Sequence, residues 1–200
     1  MNLPNARQRI LQAAVKVFAE KSFEGSRIDE IAKEAGAPKS LIYYHFKSKD
    51  EILEVLVSEY LIEFADLLKI AEKDTHQTKA GQMMDRMQFH YREFFIRNAD
   101  LTRTILIESL KKSAAEPIIF KMVEALVDTE KKFGTLSEQP NYNRNERLVA
   151  EFFTNIIPGF AFLCFYKSWT EYFNINQEEL GALFTRIMAT THGAYHQNHT

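Results

Sequence analysis

A helical spacing of apolar residues runs through almost the whole chain, and it limits the fold class before any motif is considered. Apolar residues recur about every 3.6 positions, which is the period of an amphipathic helix. No segment alternates between apolar and polar residues as a half-buried strand would, and no internal repeat is found. The sequence therefore predicts an all-α fold of about nine helices.

Four helices are predicted in the N-terminal part of the chain. The first covers about 4–21, the second follows an N-cap at Ser26, the third covers about 38–45 and the fourth covers about 48–73. The residues expected to be buried are Ile10, Ala13, Ala14, Val17, Phe18, Ile28, Ile31, Ala32, Ile42, Phe46, Ile52, Leu53, Leu56, Tyr60, Phe64 and Leu67.

The second and third helices are short and are joined by the tight turn Ala35-Gly36-Ala37. Two short helices around a glycine turn are typical of a helix-turn-helix, whose second helix enters the major groove of DNA. The outward face of the third helix is polar and aromatic, as a surface that contacts another molecule would be. It offers Lys39, Ser40, Tyr43, Tyr44 and His45.

Charge is distributed unevenly along the chain. Residues 1–49 hold nine Lys and Arg against five Asp and Glu, a net charge of +4. Because the whole chain carries −2, the remaining residues carry −6. A basic segment on an acidic body suits one surface that is attracted to phosphate.

The remaining sequence predicts helices over 79–98, from a cap at Asp100, over about 116–133, and over about 145–173 and 177–196, the last capped by Asn176. A loop is expected over 134–144. The core expected from these helices includes Met83, Met87, His90 or Tyr91, Phe94, Leu101, Ile105, Leu106, Ile119, Met122, Val123 and Leu126.

The predicted helix over 145–173 is apolar on several faces at once, so it needs cover on more than one side. A second subunit would supply that cover, and Pro158-Gly159 is expected to kink the helix. The most apolar stretch, 152–166, is interrupted by polar residues and is shorter than the ~20 residues of a membrane span. No signal segment is found, and the single Cys164 predicts a buried apolar side chain. A cytoplasmic protein without a membrane span is expected.

The N-terminal residues resemble the TetR-like (tetracycline-repressor-like) family of bacterial transcriptional regulators. The resemblance covers about 7–56 and rests on R-x-x-I-L-x-A-A-x-x-x-F from Arg7 to Phe18, Phe23-Glu24-Gly25, Ile31-Ala32, Ala35-Gly36 and Tyr43 to Lys49. It implies a helix-turn-helix DNA-binding domain at 1–47 and an effector-binding and dimerisation domain at 48–200. Ser22 stands where the family usually has glycine, so a left-handed backbone there would be strained.

The resemblance also implies which residues bind DNA and effector. Bases and phosphates would be contacted by Ser26, Arg27, Lys39, Ser40, Tyr43, Tyr44, His45 and Lys49. In the C-terminal part, most aromatic residues are expected to be core, but the family often encloses an effector cavity there. The candidate ligand-binding residues are Met87, His90, Phe94, Glu108, Phe120, Val123, Phe152 and Asn155.

Catalytic and metal sites are not predicted. The chain has no GxSxG, HExxH, P-loop or glycine-rich dinucleotide turn, so an enzyme is not expected. His192 and His196 have an i, i+4 spacing that can hold a metal, but no carboxylate partner is evident in sequence and surface histidines are favoured. No cofactor is expected.

The favoured hypothesis is a homodimeric DNA-binding regulator, a repressor that a small apolar or aromatic effector releases from its operator. The dimer would form through the last two helices, about 145–173 and 177–196. One alternative is a DNA-binding regulator without an effector, and another is an all-helical ligand carrier or enzyme. A cavity in the C-terminal part would separate the first two, and turnover of a bound compound would favour the third.

Overall fold

The computed structural model describes residues 5–75, 93–111, 117–133 and 143–198, with side chains described at 5–67, 93–111, 117–128 and 143–196. Every regular element in these ranges is helical, as the spacing of apolar residues predicts. The helices are α1 (Ala6–Gly25), α2 (Ile28–Glu34), α3 (Lys39–His45), α4 (Lys49–Thr75), α5 (Ala99–Ser109), α6 (Ile118–Phe133), α7 (Arg144–Ala150), a π-helical segment (Glu151–Ile156), α8 (Ile157–Phe173) and α9 (Gln177–Asn198). Residues 93–97 are also helical.

The chain divides into two compact units. Unit one consists of Met1–Glu63 and Asn98–Ile118, and unit two consists of Phe64–Arg97 and Ile119–Thr200. In unit one, α5 and α2 both pack on α1. The functional division between residues 47 and 48 remains a prediction.

The core of unit one contains the apolar residues that the helical spacing selects. Ile10, Ala14, Phe18, Ile31 and Ile42 are all fully buried or nearly so. Ile28 and Leu53, which were expected in the core, are only half-buried. The first helix begins at a cap in which the Asn5 side chain accepts from the Gln8 amide at 2.9 Å, which satisfies one of the free N–H groups of the first turn.

The C-terminal end of α1 contains a break at Ser22. This residue has φ 61° and ψ 164°, a backbone conformation that only glycine adopts without strain. Helical residues resume after it as far as Gly25, so the first helix extends beyond the predicted end near residue 21. The absence of the glycine that the family usually has at this position therefore correctly predicted a strained residue.

Two predicted helix caps are wrong by one or two positions. Arg27, not Ser26, is the N-cap of α2, because the Ser26 hydroxyl donates instead to the carbonyl oxygen of Phe23 at 2.6 Å. Asn98 is the N-cap of α5, and Asp100 lies inside its first turn. Ser and Asp side chains can bond to several nearby backbone groups, so a suitable residue type does not fix the register of a cap.

The caps at Ser48 and Asn176 are confirmed. The Ser48 hydroxyl accepts from the Glu51 amide at 3.1 Å at the start of α4. The Asn176 side chain accepts from the Glu179 amide at 2.7 Å at the start of α9. Farther along α4, the Tyr60 hydroxyl lies 2.9 Å from the hydroxyl of Thr102 on α5, and both residues are buried.

In unit two, α6 buries Ile119, Met122, Val123 and Leu126, as predicted. The helix predicted over 145–173 forms as a continuous run of α7, the π-helical segment and α8. Pro158 lies two residues after the end of the π-helical segment and lacks an N–H, so the regular hydrogen-bond register changes in this region.

The run Arg144–Phe173 is long and apolar enough to cross a membrane, by length and composition alone. The core helix of a soluble protein passes the same test, so the expectation of a protein without a membrane span stays a prediction. Many of its large apolar side chains are exposed in the single chain, among them Phe153, Phe165, Trp169, Tyr172 and Phe173.

Candidate nucleic-acid interface

The turn between α2 and α3 is built from backbone hydrogen bonds that require a left-handed residue. The Ala37 amide donates to the Ala32 carbonyl at 3.0 Å, and the Gly36 amide donates to the Lys33 carbonyl at 3.2 Å. Gly36 supplies the necessary positive φ of 57°. This helix ending turns the chain sharply into α3, as a helix-turn-helix requires.

The third helix has one buried side and one exposed side. Ile42 is fully buried and Phe46, just after the helix, is 2% exposed. On the outward side, Tyr43 is 51% exposed and Tyr44 is 81% exposed. Lys39 and Ser40 are exposed as well, and His45 is half-buried beside the Tyr44 ring. The face predicted from the sequence is therefore available to a partner.

Lys39 forms an ion pair across the turn. Its ammonium nitrogen lies 2.8 Å from a carboxylate oxygen of Asp29 on α2. The hydrogen bond and the charge of Asp29 raise the pKa of Lys39, so this side chain stays protonated. A phosphate that approaches Lys39 would have to compete with Asp29.

Two other cations of unit one are not held in an ion pair of this kind, although the charge of Arg27 acts on the nearby carboxylate of Glu30. Arg27 and Lys47 are exposed and form no ion pair with any side chain that the structure describes. Arg27 was predicted as a DNA contact from its place at the start of α2. Lys47 was not, although its position directly after α3 was a usable signal in the sequence.

Ser26 and Lys49 are engaged within the chain. The Lys49 ammonium donates to the carbonyl oxygens of Phe23 at 2.5 Å, Ser26 at 3.0 Å and Glu24 at 3.5 Å. It also lies 4.4 Å from the centre of the Phe23 ring. An ammonium has three N–H donors, so all of them have backbone partners. Direct phosphate binding by Lys49 remains a prediction, and the geometry favours a role in holding the segment before α2.

The predicted effector residues are divided between the units. Met87 and His90 lie outside the described residues. Phe94 and Val123 are buried in unit two, and Phe120 packs against Phe152 with ring centres 5.4 Å apart. Asn155 is not free, because its amide donates to Glu151 at 2.9 Å.

Glu108 differs from the other predicted effector residues because it lies in unit one. One of its carboxylate oxygens pairs with Lys111 at 2.6 Å. The other is buried without a hydrogen-bond partner among the described residues.

The histidine pair near the C-terminus has a carboxylate partner that the sequence did not reveal. Glu151, His192 and His196 place one ligand-type atom each within 4.8 Å of one another. The expectation that no carboxylate lies near these histidines is wrong, because Glu151 belongs to a helix distant in sequence. This cluster is not part of the helix-turn-helix.

The comparisons with known proteins agree with the N-terminal helix-turn-helix. Residues 10–56 match the family model described as bacterial regulatory proteins, tetR family. Over these residues, which make up less than half of the chain, the protein is TetR-like.

Two relatives show how much of the chain is similar in sequence. A fatty acid metabolism regulator protein of Bacillus subtilis is 35% identical over 80 residues, which cover 39% of this chain and 41% of that protein. The negative regulator IcaR of the biofilm operon icaADBC in Staphylococcus epidermidis is 32% identical over 62 residues, covering 31% and 34%. The alignments thus span less than half the length of these two relatives.

Among solved structures, the regulator FadR of Bacillus subtilis in complex with stearoyl-CoA superposes with a TM-score of 0.62. The match covers 90% of this chain and 96% of FadR at 17% identity. At that identity the likeness establishes the fold and leaves the ligand open.

Proposed function

We propose that the chain is a homodimeric, sequence-specific DNA-binding transcriptional regulator of the bacterial cytoplasm, a repressor released by a small apolar effector. The observation that carries the DNA-binding part is the outward face of α3, where Tyr43 and Tyr44 are exposed although both are large and aromatic. Tyrosine offers a flat apolar ring and a hydroxyl, which suit base edges and the sugar-phosphate backbone.

The proposed contacts divide by chemistry. Lys39, Ser40, Tyr43 and Tyr44 reach base edges and nearby phosphates, while Arg27 and His45 contact phosphate. Lys47 joins this second group because it is exposed and follows α3 directly. Ser26 and Lys49 support the interface from within, since both bond to the carbonyl of Phe23.

Binding is tested by selecting DNA from a random pool with the purified protein and measuring the affinity of the selected site by gel shift. Tyr43→Ala is expected to abolish specific binding while the helical content stays unchanged. Ile62→Ala is the control, because Ile62 is also a large apolar side chain, is 60% exposed and lies on α4 away from α3. Equal affinity of the Tyr43 variant and the control would contradict the placement of α3 in the groove.

The homodimer is proposed from the exposed aromatic side chains of α8. Phe165, Trp169, Tyr172 and Phe173 recur at helical spacing, and each is at least 48% exposed in the single chain. Such a large apolar surface needs a covering partner. A second copy would pair α8 and α9 with their symmetry mates and place two helix-turn-helix units on half-sites ~34–36 Å apart.

Molar mass by light scattering tests the dimer. Trp169→Glu is expected to give a monomer, because a buried unpaired charge at an interface is strongly unfavourable. Ile62→Glu introduces the same charge at an exposed apolar residue outside α8 and should remain dimeric. If the Trp169→Glu variant is still a dimer, this face of α8 is not part of the dimer interface.

The effector proposal rests on unit two and on the similar proteins. Buried Phe94, Val123 and Phe160 give unit two an apolar interior, and Phe152 contacts the 51% exposed Phe120 at its edge. One relative is named as a fatty acid metabolism regulator, and one solved structure contains stearoyl-CoA. We therefore propose a long acyl chain, carried as its coenzyme A thioester, as the first effector to test.

Addition of stearoyl-CoA to the complex with selected DNA is expected to release the protein. Free coenzyme A is the matched control, since it carries the same charge without the acyl chain. Release by both compounds would show that charge alone competes with DNA. Release by neither would favour the regulator without an effector, or one with a different ligand.

A further inference from the structure

A polar cluster is buried in unit two between the π-helical segment and α9. Glu151 begins the π-helical segment and is only 1% exposed. His196 Nε2 lies 3.1 Å from one carboxylate oxygen of Glu151, and His192 Nε2 lies 3.6 Å from the other. The two Nε2 atoms are themselves 2.9 Å apart. Three ligand-type atoms thus converge on one point.

The hydrogen bonds of His192 fix which of its ring nitrogens carries the proton. The Thr154 hydroxyl donates its only proton to the Ala150 carbonyl at 2.7 Å. The same oxygen lies 2.9 Å from His192 Nδ1, so it accepts a hydrogen bond from Nδ1–H. In the neutral ring, Nε2 then holds a bare lone pair that faces His196 and Glu151.

His196 has the opposite arrangement. The guanidinium of Arg147 lies 2.7 Å from His196 Nδ1 and can only donate, so Nδ1 is the acceptor. The proton of a neutral His196 is therefore on Nε2, between Glu151 Oε1 and the lone pair of His192. This N–H faces two acceptors, Glu151 Oε1 at 3.1 Å and His192 Nε2 at 2.9 Å.

We propose that Glu151, His192 and His196 form a binding site for a divalent first-row transition metal ion, with Zn²⁺ as the best match. Two imidazoles and a carboxylate are a common zinc ligand set, and bonds of about 2.0–2.1 Å place tetrahedral ligands roughly 3.3 Å apart. The two Nε2 atoms lie 2.9 Å apart, and each lies 3.1 or 3.6 Å from a different carboxylate oxygen of Glu151, so the ligand atoms are close to that separation. The fourth position is left to water or another small ligand.

The groups around these ligands suit a metal site. His192 donates through Nδ1 to Thr154, and the Glu151 carboxylate accepts from Asn155 at 2.9 Å, so both ligands are oriented by outer partners. Burial lowers the pKa of His192 to about 4. Burial alone would raise the pKa of Glu151, but hydrogen bonds from His196 and Asn155 and the nearby histidines leave it lowered.

The positive charge of Arg147 disfavours metal binding. Among the described residues, it is the one cationic side chain in contact with the cluster. Besides its contact with His196, its Nε lies 3.6 Å from Glu151. When His196 Nε2 binds the metal, its proton moves to Nδ1, where it would meet the guanidinium. Arg147 must then turn away from His196. No proton is lost in this exchange, which converts one neutral tautomer into the other.

The test uses the full chain, stripped of metal with a chelator. Zn²⁺ is titrated against a chromogenic chelator, and Co²⁺ is added separately because its visible absorption reports tetrahedral coordination. The expected result is one site per chain for both ions and none for Mg²⁺, which prefers oxygen ligands in octahedral geometry. Wild-type protein that binds neither ion above the background would overturn the proposal and leave a purely structural network.

Variants assign the site to these residues. Loss of an outer partner typically weakens metal binding by roughly 10–100-fold, so Thr154→Val should weaken Zn²⁺ binding by that factor. Glu151→Gln and His196→Gln remove ligands and should each weaken Zn²⁺ binding by at least as much. Glu178→Gln, at an exposed carboxylate on α9, should bind like wild type. Undiminished Zn²⁺ binding in both ligand variants would place the ion elsewhere and overturn the proposal.

Arg147→Gln gives a result of opposite sign. It removes the competing cation, and its amide oxygen can accept from the Nδ1–H of metal-bound His196. This variant should therefore bind Zn²⁺ more tightly than wild type and strengthen the tetrahedral Co²⁺ absorption. A folded Arg147→Gln protein that binds Zn²⁺ no better than wild type would contradict the proposed competition.

Discussion

Asp29 and Lys39 form an ion pair 2.8 Å long that joins the first turn of α2 to the start of α3. The pair places a carboxylate beside a lysine that is proposed to contact DNA. Both side chains are more than half exposed, so the ion pair contributes little to folding stability. Its larger effect is expected on DNA binding, because the carboxylate repels phosphate and occupies the ammonium.

Asp29→Asn is therefore expected to strengthen binding to the selected DNA site by roughly two- to fivefold, with a similar gain on unrelated DNA. Gel shifts at fixed salt measure both affinities. Glu34→Gln removes another exposed carboxylate, one paired with Lys16 at 3.1 Å, and is expected to have a smaller effect. Equal gains in the two variants would mean that net charge, not the pair with Lys39, sets the affinity.

Ser22 is strained in the backbone conformation that breaks α1. Ser22→Gly should raise the free energy of unfolding by about 1 kcal/mol, since glycine adopts this conformation freely. The corresponding rise in Tm is about 2–4 °C. The substitution also removes a weak hydrogen bond, in which the Ser22 hydroxyl accepts from the Gly25 amide at 3.4 Å.

Gly36 provides the reverse control for Ser22. Its φ is also positive, and a Cβ there would meet no atom within 4 Å, so Gly36→Ala tests conformation without a clash. This variant should lower the free energy of unfolding by about 1 kcal/mol. If Ser22→Gly leaves Tm unchanged while Gly36→Ala lowers it, the break at Ser22 is not strained in solution.

Local sequence patterns were sufficient for the helix-turn-helix. The 3.6-residue spacing placed Ile42 and Phe46 inside and Tyr43 and Tyr44 outside, because consecutive positions on a helix point in fixed directions. Gly36 marked the turn for an equally local reason, because glycine adopts the positive φ that the turn requires. The cap register at Ser26 was misjudged because its hydroxyl bonds to the Phe23 carbonyl, and Asp100 lies two residues after the actual cap, Asn98.

Contacts between residues far apart in sequence could not be found in this way. Lys49 bonds to a carbonyl 26 residues earlier, and Glu151 meets a histidine 45 residues later. Neither pair has a spacing that a helix or turn imposes, so only the packed fold brings them together. For this reason the sequence misassigned the environment of the histidine pair and left the internal role of Lys49 unseen.

The buried hydroxyls of Tyr60 and Thr102 link α4 to α5 at 2.9 Å. Tyr60→Phe should lower the free energy of unfolding by about 1–3 kcal/mol, because the Thr102 hydroxyl loses a partner in a buried site. The double variant Tyr60→Phe with Thr102→Val should lose less than the sum of the single variants. Chemical denaturation of all four proteins measures this coupling, and simple additivity would argue against the hydrogen bond.

Lys49 and Lys47 lie two residues apart but are expected to act differently on DNA. The Lys49 ammonium bonds to three carbonyls in the segment before α2, whereas Lys47 is exposed and forms no ion pair with the described side chains. Lys49→Met should lower the free energy of unfolding by about 1–2 kcal/mol, because it removes the ammonium donor from these carbonyls and leaves that of Phe23 with the Ser26 hydroxyl. It should also weaken DNA binding by displacing Arg27.

The salt dependence of binding distinguishes the two lysines. A lysine that neutralises a phosphate contributes about one unit to the slope of log affinity against log salt, because one counterion is released. Lys47→Met should therefore reduce the slope by about one unit at unchanged stability, and Lys49→Met should reduce it by less. A full unit lost in the Lys49 variant, with stability intact, would show that Lys49 leaves its carbonyl partners to bind phosphate.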